Sequence, residues 1–189
     1  RARELWHAGP HYAYCEGRIG MSSWEALWCR WEGKSAEMRA VREWSPGYRR
    51  EAWRLALADQ GVVDDGLAEE LAERFAAERR RRHEPFPDAR PALEALRRTH
   101  ALALVTNGAS CLQREKMTGS GLSEADFDAV VVSGDLSTGK PGRAIFAHTL
   151  GVLGVEPGRA VMVGDSVERD VLGAERAGIR GIWLNRDGG

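Results

Sequence analysis

Apolar positions recur along this chain in two different rhythms, and the change between them divides it. Before residue 85 they return every three to four positions. Trp24, Leu27, Trp28 and Trp31 share one helical face behind Ser22 and Glu25, which have capping-box spacing, and Gly33 follows as a stop. Ser45 and Pro46 read as the N-cap and first-turn proline of a second helix, with Tyr48, Ala52 and Leu55 on one face and Gly61 at its end. A third helix carries Leu67, Leu71 and Phe75 into the basic run Arg79 to Arg82, while the Asp64-Asp65 pair ahead of it reads as loop.

Pro85 and Pro87 break this region and mark a hinge. Beyond them, short continuous apolar runs at 101–105, 129–132, 160–163 and 181–184 predict buried strands. Between them lie helical periods. One contains Ala89, Leu93 and Leu96; another follows Gly108. A third runs over 142–153 with Ile145, Phe146, Thr149, Leu150 and Leu153 inward, and a fourth contains Val171, Leu172 and Ala177. The alternation predicts an α/β fold: a Rossmann-like parallel sheet core over 85–189, covered on both faces, preceded by an α-helical cap domain over 1–84.

Composition narrows the partners. The 189 residues are 43% hydrophobic and 29% charged with a net charge of −1, so no large field points to nucleic acid or an acidic membrane surface; small molecules remain. No run reaches the length of a membrane helix and no apolar signal core opens the chain. Cys15, Cys29 and Cys111 are odd in number and widely spaced, which fits neither a secreted disulfide framework nor a C-x-x-C metal pair and points to the cytoplasm. The five histidines lack metal-ligand spacing and read as structural or solvated. The Trp24, Trp28 and Trp31 stripe reads as cap core, and the basic run as a favourable charge at a helix C-terminus. Oligomeric state is not legible.

In an open parallel sheet, ligands bind beyond the carboxyl ends of the strands. Three such junctions carry chemistry here. Thr106, Asn107 and Gly108 offer a hydroxyl, an amide and a close-approach backbone leading into a helix N-terminus, which suits an anion, or else make a polar turn capped by Asn107. Lys140 in Gly139-Lys140-Pro141 is placed to neutralise carboxylates and phosphate oxygens, or is a solvated loop charge. Asp165 follows a strand directly and Asp170 falls in the next first turn; two hard oxygen ligands beside an anion site suit Mg²⁺, or else complement a helix dipole, as Glu168 does.

In this order the three junctions resemble the second, third and fourth motifs of the haloacid dehalogenase superfamily, close to the branch containing N-acylneuraminate-9-phosphatase and phosphoglycolate phosphatase. The resemblance runs from about Pro85 onward, and the helical region resembles the cap these enzymes insert after their first strand. It implies that Thr106, with Asn107 and Gly108 lending backbone donors, and Lys140 bind substrate, that Lys140 and Asp165 are catalytic, and that Asp165 and Asp170 serve Mg²⁺, Asp170 directly or through water.

The expected activity is Mg²⁺-dependent phosphomonoester hydrolysis of a small phosphorylated metabolite through an aspartyl-phosphate. Its alternatives are a 2-haloacid dehalogenase or a non-catalytic phosphate-binding member. The family's first motif, a D-x-D ending a central strand, does not occur in this sequence. The resemblance therefore implies that one strand and its loop precede Arg1 in the parent protein, and that the chain without them is inactive.

Overall fold

The computed structural model describes residues 1–186. In chain order the helices are α1 (Ala2–Ala8), α2 (Tyr12–Cys15), α3 (Ser23–Ala26), α4 (Ala36–Ala58), α5 (Asp65–Arg81), α6 (Ala89–Arg97), α7 (Ser110–Gly119), α8 (Ser133–Leu136), α9 (Arg143–Leu153) and α10 (Gly173–Arg176); the strands are β1 (Ala103–Thr106), β2 (Ala129–Val132), β3 (Val161–Gly164) and β4 (Arg180–Trp183). They form two compact units, one of Arg1–Pro85 with Gly108–Leu122 and one of Phe86–Asn107 with the chain from Ser123 onward. The first division falls after Pro85. Residues 108–122, expected in the second region, pack with the first because Ala109 and Leu112 are buried in its apolar cluster.

In the first unit the capping box forms: Ser22 Oγ accepts the Glu25 N–H and the Glu25 carboxylate accepts the Ser22 N–H at 3.0 Å. The expected helix through Trp31 does not, because α3 ends at Ala26 and Trp31 sits at φ 55°. Arginines from other helices take the carbonyls a longer helix would have used. Arg49 donates to Ala26 O and Cys29 O, Arg80 to Trp28 O and Arg42 to Trp31 O. Each is a charge-assisted bond, stronger than the neutral helical one it replaces. Trp28 and Trp31 are thereby buried, whereas Trp24 stays 62% exposed.

The second helix is also longer than its local signals predict. It starts after Ser35, whose Oγ accepts the Met38 N–H at 3.1 Å, and runs through Pro46. Pro46 brings no N–H for the Arg42 carbonyl, and Ser45 Oγ donates to that oxygen instead, at 3.4 Å. Burial of Met38, Val41, Tyr48 and Ala52 carries the helix across the proline. In α5 the Asp64-Asp65 pair is cap and first turn, not loop, since Asp64 Oδ1 accepts the Leu67 N–H at 2.9 Å. Its buried stripe is Ala68, Ala72 and Ala76, one position on from the expected Leu67, Leu71 and Phe75. Glu25 also pairs with Lys116 and accepts from Gln113, both on α7. Burial pushes its carboxyl up, but Lys116, Ser22 and Gln113 outweigh that and hold it below the ordinary glutamate value.

The strands of the second unit form where continuous apolar runs predict them, and all pairing is parallel. Ala103 lies opposite Ala129 and Thr106 opposite Val132; Val161 lies opposite Arg180 and Gly164 opposite Trp183. Among the described residues these are two two-stranded sheets, not one. Leu102 O accepts from Asp128 and Ala129 on the β2 side, so Val105 O, three residues on, faces the other edge of β1. Gly164 O accepts from Leu184 on the β4 side, so the backbone groups of Val161 and Val163 face the other edge of β3.

Helix α9 buries Ile145, Phe146, Thr149 and Leu150 as expected, in a cluster with Val131, Ala174 and Ile179. The helix expected around Val171 opens as a π-helical turn over Val167–Leu172 before α10. No helix among the described residues is long and apolar enough to cross a membrane.

Candidate active site

The second unit brings three of the expected residues together through main-chain chemistry. Asn107, just past β1, uses both ends of its side-chain amide on one residue: Nδ2 donates to Lys140 O and Oδ1 accepts the Lys140 N–H, each at 2.8 Å. That reciprocal pair copies a step of a β-ladder and fixes the loop carrying Lys140 to the end of β1. Residue 139 must be glycine for this, because a Cβ there would press on the Asn107 side chain. The Lys140–Pro141 peptide is cis.

So held, the Lys140 side chain is 11% exposed and its ammonium makes two short contacts. It donates to Val105 O on the open edge of β1 at 2.8 Å and pairs with Asp170 Oδ1 at 2.7 Å. Asp170 is buried, and its other oxygen accepts the Ser166 N–H at 3.0 Å. Ser166 Oγ in turn caps the following turn by accepting the Arg169 N–H. A Cβ at residue 164 would collide with the Asp170 carboxylate, so glycine there lets β3 approach it. Lys140 thus ties the open edge of β1 to the loop after β3.

The other expected residues have separate surroundings. Thr106 ends β1 opposite Val132. Gly108 lies in the first unit at φ 128°, where its N–H donates to Ile19 O at 2.9 Å. Asp165 is exposed at the carboxyl end of β3; its main-chain carbonyl accepts from Trp183 Nε1, and among the described residues its carboxylate holds no hydrogen bond or ion pair. Glu168 pairs with Arg176 at the surface. The sequence reading missed Ser166, although its spacing to Arg169 is that of an N-cap, and it missed Val105, whose role is carried by a carbonyl that every residue possesses.

No three His, Cys, Asp or Glu side chains among the described residues converge on one point, so a protein-only cage is absent. Mg²⁺ does not need one, since it takes one or two carboxylates and fills its other positions with water and substrate oxygens. The exposed Asp165 carboxylate at the end of β3 is of the chemistry that requirement asks for.

A family model for haloacid dehalogenase-like hydrolases matches residues 21–178. The chain belongs to this family. Among curated haloacid dehalogenase-like relatives, a phosphoserine phosphatase of Thermus thermophilus is 43% identical over 98% of this chain and 73% of its own length. An N-acylneuraminate-9-phosphatase of Rattus norvegicus is 36% identical over 75% of this chain, and the match spans 58% of that relative's length. A putative hydrolase of the family from Bacillus subtilis, YfnB, solved with bound magnesium, superposes with a TM-score of 0.60 at 26% identity, covering 88% of this chain and 70% of that one.

Proposed function

We propose that this chain provides the phosphate- and metal-binding loops of a Mg²⁺-dependent phosphomonoesterase acting on a small phosphorylated metabolite. The observation that carries the reading is the buried Lys140 ammonium, held between Val105 O and Asp170 at the open edge of β1. A fixed positive charge at the carboxyl end of a parallel sheet stabilises the negative charge that builds up when a carboxylate meets a phosphoryl group. Thr106 supplies a hydroxyl to the phosphoryl oxygens and the backbone around Asn107 and Gly108 supplies the turn.

Asp165 would hold Mg²⁺, with Asp170 supporting it through water or directly while fixing the loop through Ser166. The cation, when bound, polarises phosphoryl oxygens as a Lewis acid. The open edges of β1 and β3 take one further parallel strand in this reading; its terminal aspartate attacks phosphorus as the P–O ester bond breaks and the alcohol leaves with a proton, and water then cleaves the aspartyl-phosphate to free phosphate and the regenerated carboxylate. Phosphoserine is the first substrate to try, on the strength of the 43% identical relative. Three free thiols support a cytoplasmic setting.

The test is a panel of phosphomonoesters assayed on the full-length protein with Mg²⁺ and after chelation. Hydrolysis should need the metal, and Asp165→Ala should lower it by about a hundredfold or more. Metal-independent turnover, release of halide from 2-haloacids without phosphatase activity, or a fully active Asp165→Ala protein would each overturn the reading.

A further inference from the structure

The first unit contains a pair of thiols that the proposed hydrolysis does not use. Cys29 lies beyond α3 and Cys111 in the first turn of α7, 82 residues apart in sequence, with their sulfur atoms 3.9 Å apart. Cys29 is fully buried, whereas Cys111 is open to solvent in part. A disulfide needs its sulfurs at about 2.05 Å, so the two must close by about 2 Å.

Their surroundings give the two sulfurs different chemistry. Cys111 sits in the first turn of the ten-residue α7, where the backbone of Glu32 and Leu112 favours its thiolate. The hydrogen bond from Cys29 comes first among the influences that bring Cys111 down to about 7; burial and the Glu32 carboxylate work against it. Cys29 is pushed strongly up by burial and keeps its proton. Cys111, the less buried of the two, is therefore the nucleophile, and its neighbour is a protonated thiol in contact with it.

We propose that Cys29 and Cys111 are a redox modification site that closes to a disulfide on exposure to a hydroperoxide, joining the segment after α3 to the first turn of α7. The Cys111 thiolate attacks the outer peroxide oxygen; the O–O bond breaks, the alkoxide or hydroxide leaves and takes a proton, and Cys111 becomes a sulfenic acid. The Cys29 sulfur then attacks the Cys111 sulfur, and its proton leaves with the hydroxyl as water. The two thiols lose two electrons, the hydroperoxide gains them, and the products are one disulfide, one alcohol or water, and one water. A dithiol reductant reverses the change.

The experiment treats the native full-length protein with hydrogen peroxide, blocks the remaining thiols and maps the peptides by mass spectrometry. Free thiols among Cys15, Cys29 and Cys111 should fall from three to one, with Cys29 and Cys111 in one linked peptide, Cys15 unmodified, and dithiothreitol restoring all three. In Cys29→Ser protein, Cys111 should accumulate as a sulfenic acid that dimedone labels. Cys15→Ser protein should form the link as the parent does. Unchanged thiols, over-oxidation of Cys111 with no link, or a link to a cysteine of another molecule would overturn the proposal. The peptide map of the unsubstituted protein decides the matter even if Cys29→Ser fails to fold.

Discussion

The two units differ in how far apolar burial alone holds them together. In the first, Trp6, Trp28 and Trp31 are all no more than 2% exposed, and helices α1, α4, α5 and α7 close one apolar cluster around them. In the second, Val161 and Val163 of β3 and Ile182 of β4 are 43–54% exposed, and their register puts them on one face of that strand pair. There a smaller apolar cluster around Ile145 and Phe146 is accompanied by a buried ion pair, Lys140–Asp170, and by the Asn107 clamp at the end of β1. Apolar burial is non-directional and tolerates imprecision, whereas a buried ion pair contributes only while both partners are present. The comparison teaches where each unit is fragile: the first in its volume, the second in its charge.

Breaking the ion pair should have an effect as large as any. Asp170→Ala leaves the Lys140 ammonium buried without its carboxylate and should cost about 3–5 kcal/mol, read by denaturant unfolding of the second unit. A loss under about 1 kcal/mol would mean that the pair is solvated and that the contrast is false. Trp28→Ala should cost about 3–5 kcal/mol in the first unit through the cavity it leaves. Tryptophan emission suits the measurement, because six of the seven tryptophans precede residue 60.

Glu25→Gln sharpens the comparison by testing charge inside the apolar unit. The folded carboxyl lies below its ordinary value, so the stabilisation is present above the unfolded value and disappears as pH falls through the folded one. The substitution should cost about 1.5–3 kcal/mol near neutrality, and the gap to the parent should shrink in acid. Val163→Ala should move stability by no more than about 0.5 kcal/mol, as at any exposed site. A larger loss would show that this face is covered in solution.

The parts legible in sequence are those that depend on the chain's own neighbours. Continuous apolar runs located β2 to the residue and the other strands to within two, and Ser22 with Glu25 announced a true capping box. What was not legible depends on distant partners. The end of α3 at Ala26 is set by Arg42, Arg49 and Arg80, three guanidinium groups that reach it only after folding. The passage of α4 through Pro46 needs a serine hydroxyl and a buried face, against a local signal that reads as a fresh start. At the site, residue types at strand ends pointed to Lys140, Asp165 and Asp170, but not to the bond between Lys140 and Asp170 or to the use of the Asn107 side chain on main chain.

The Asn107 clamp has a consequence for how this protein may vary over generations. It grips the peptide N–H and C=O of residue 140, which every amino acid except proline offers, so it is blind to the side chain that residue 140 carries. Replacement of the lysine would change what the loop does while leaving the loop where it is. Replacement of Asn107 would remove both of these main-chain bonds whatever residue 140 happens to be, so heritable novelty has an open door at one position and a narrower one at the other.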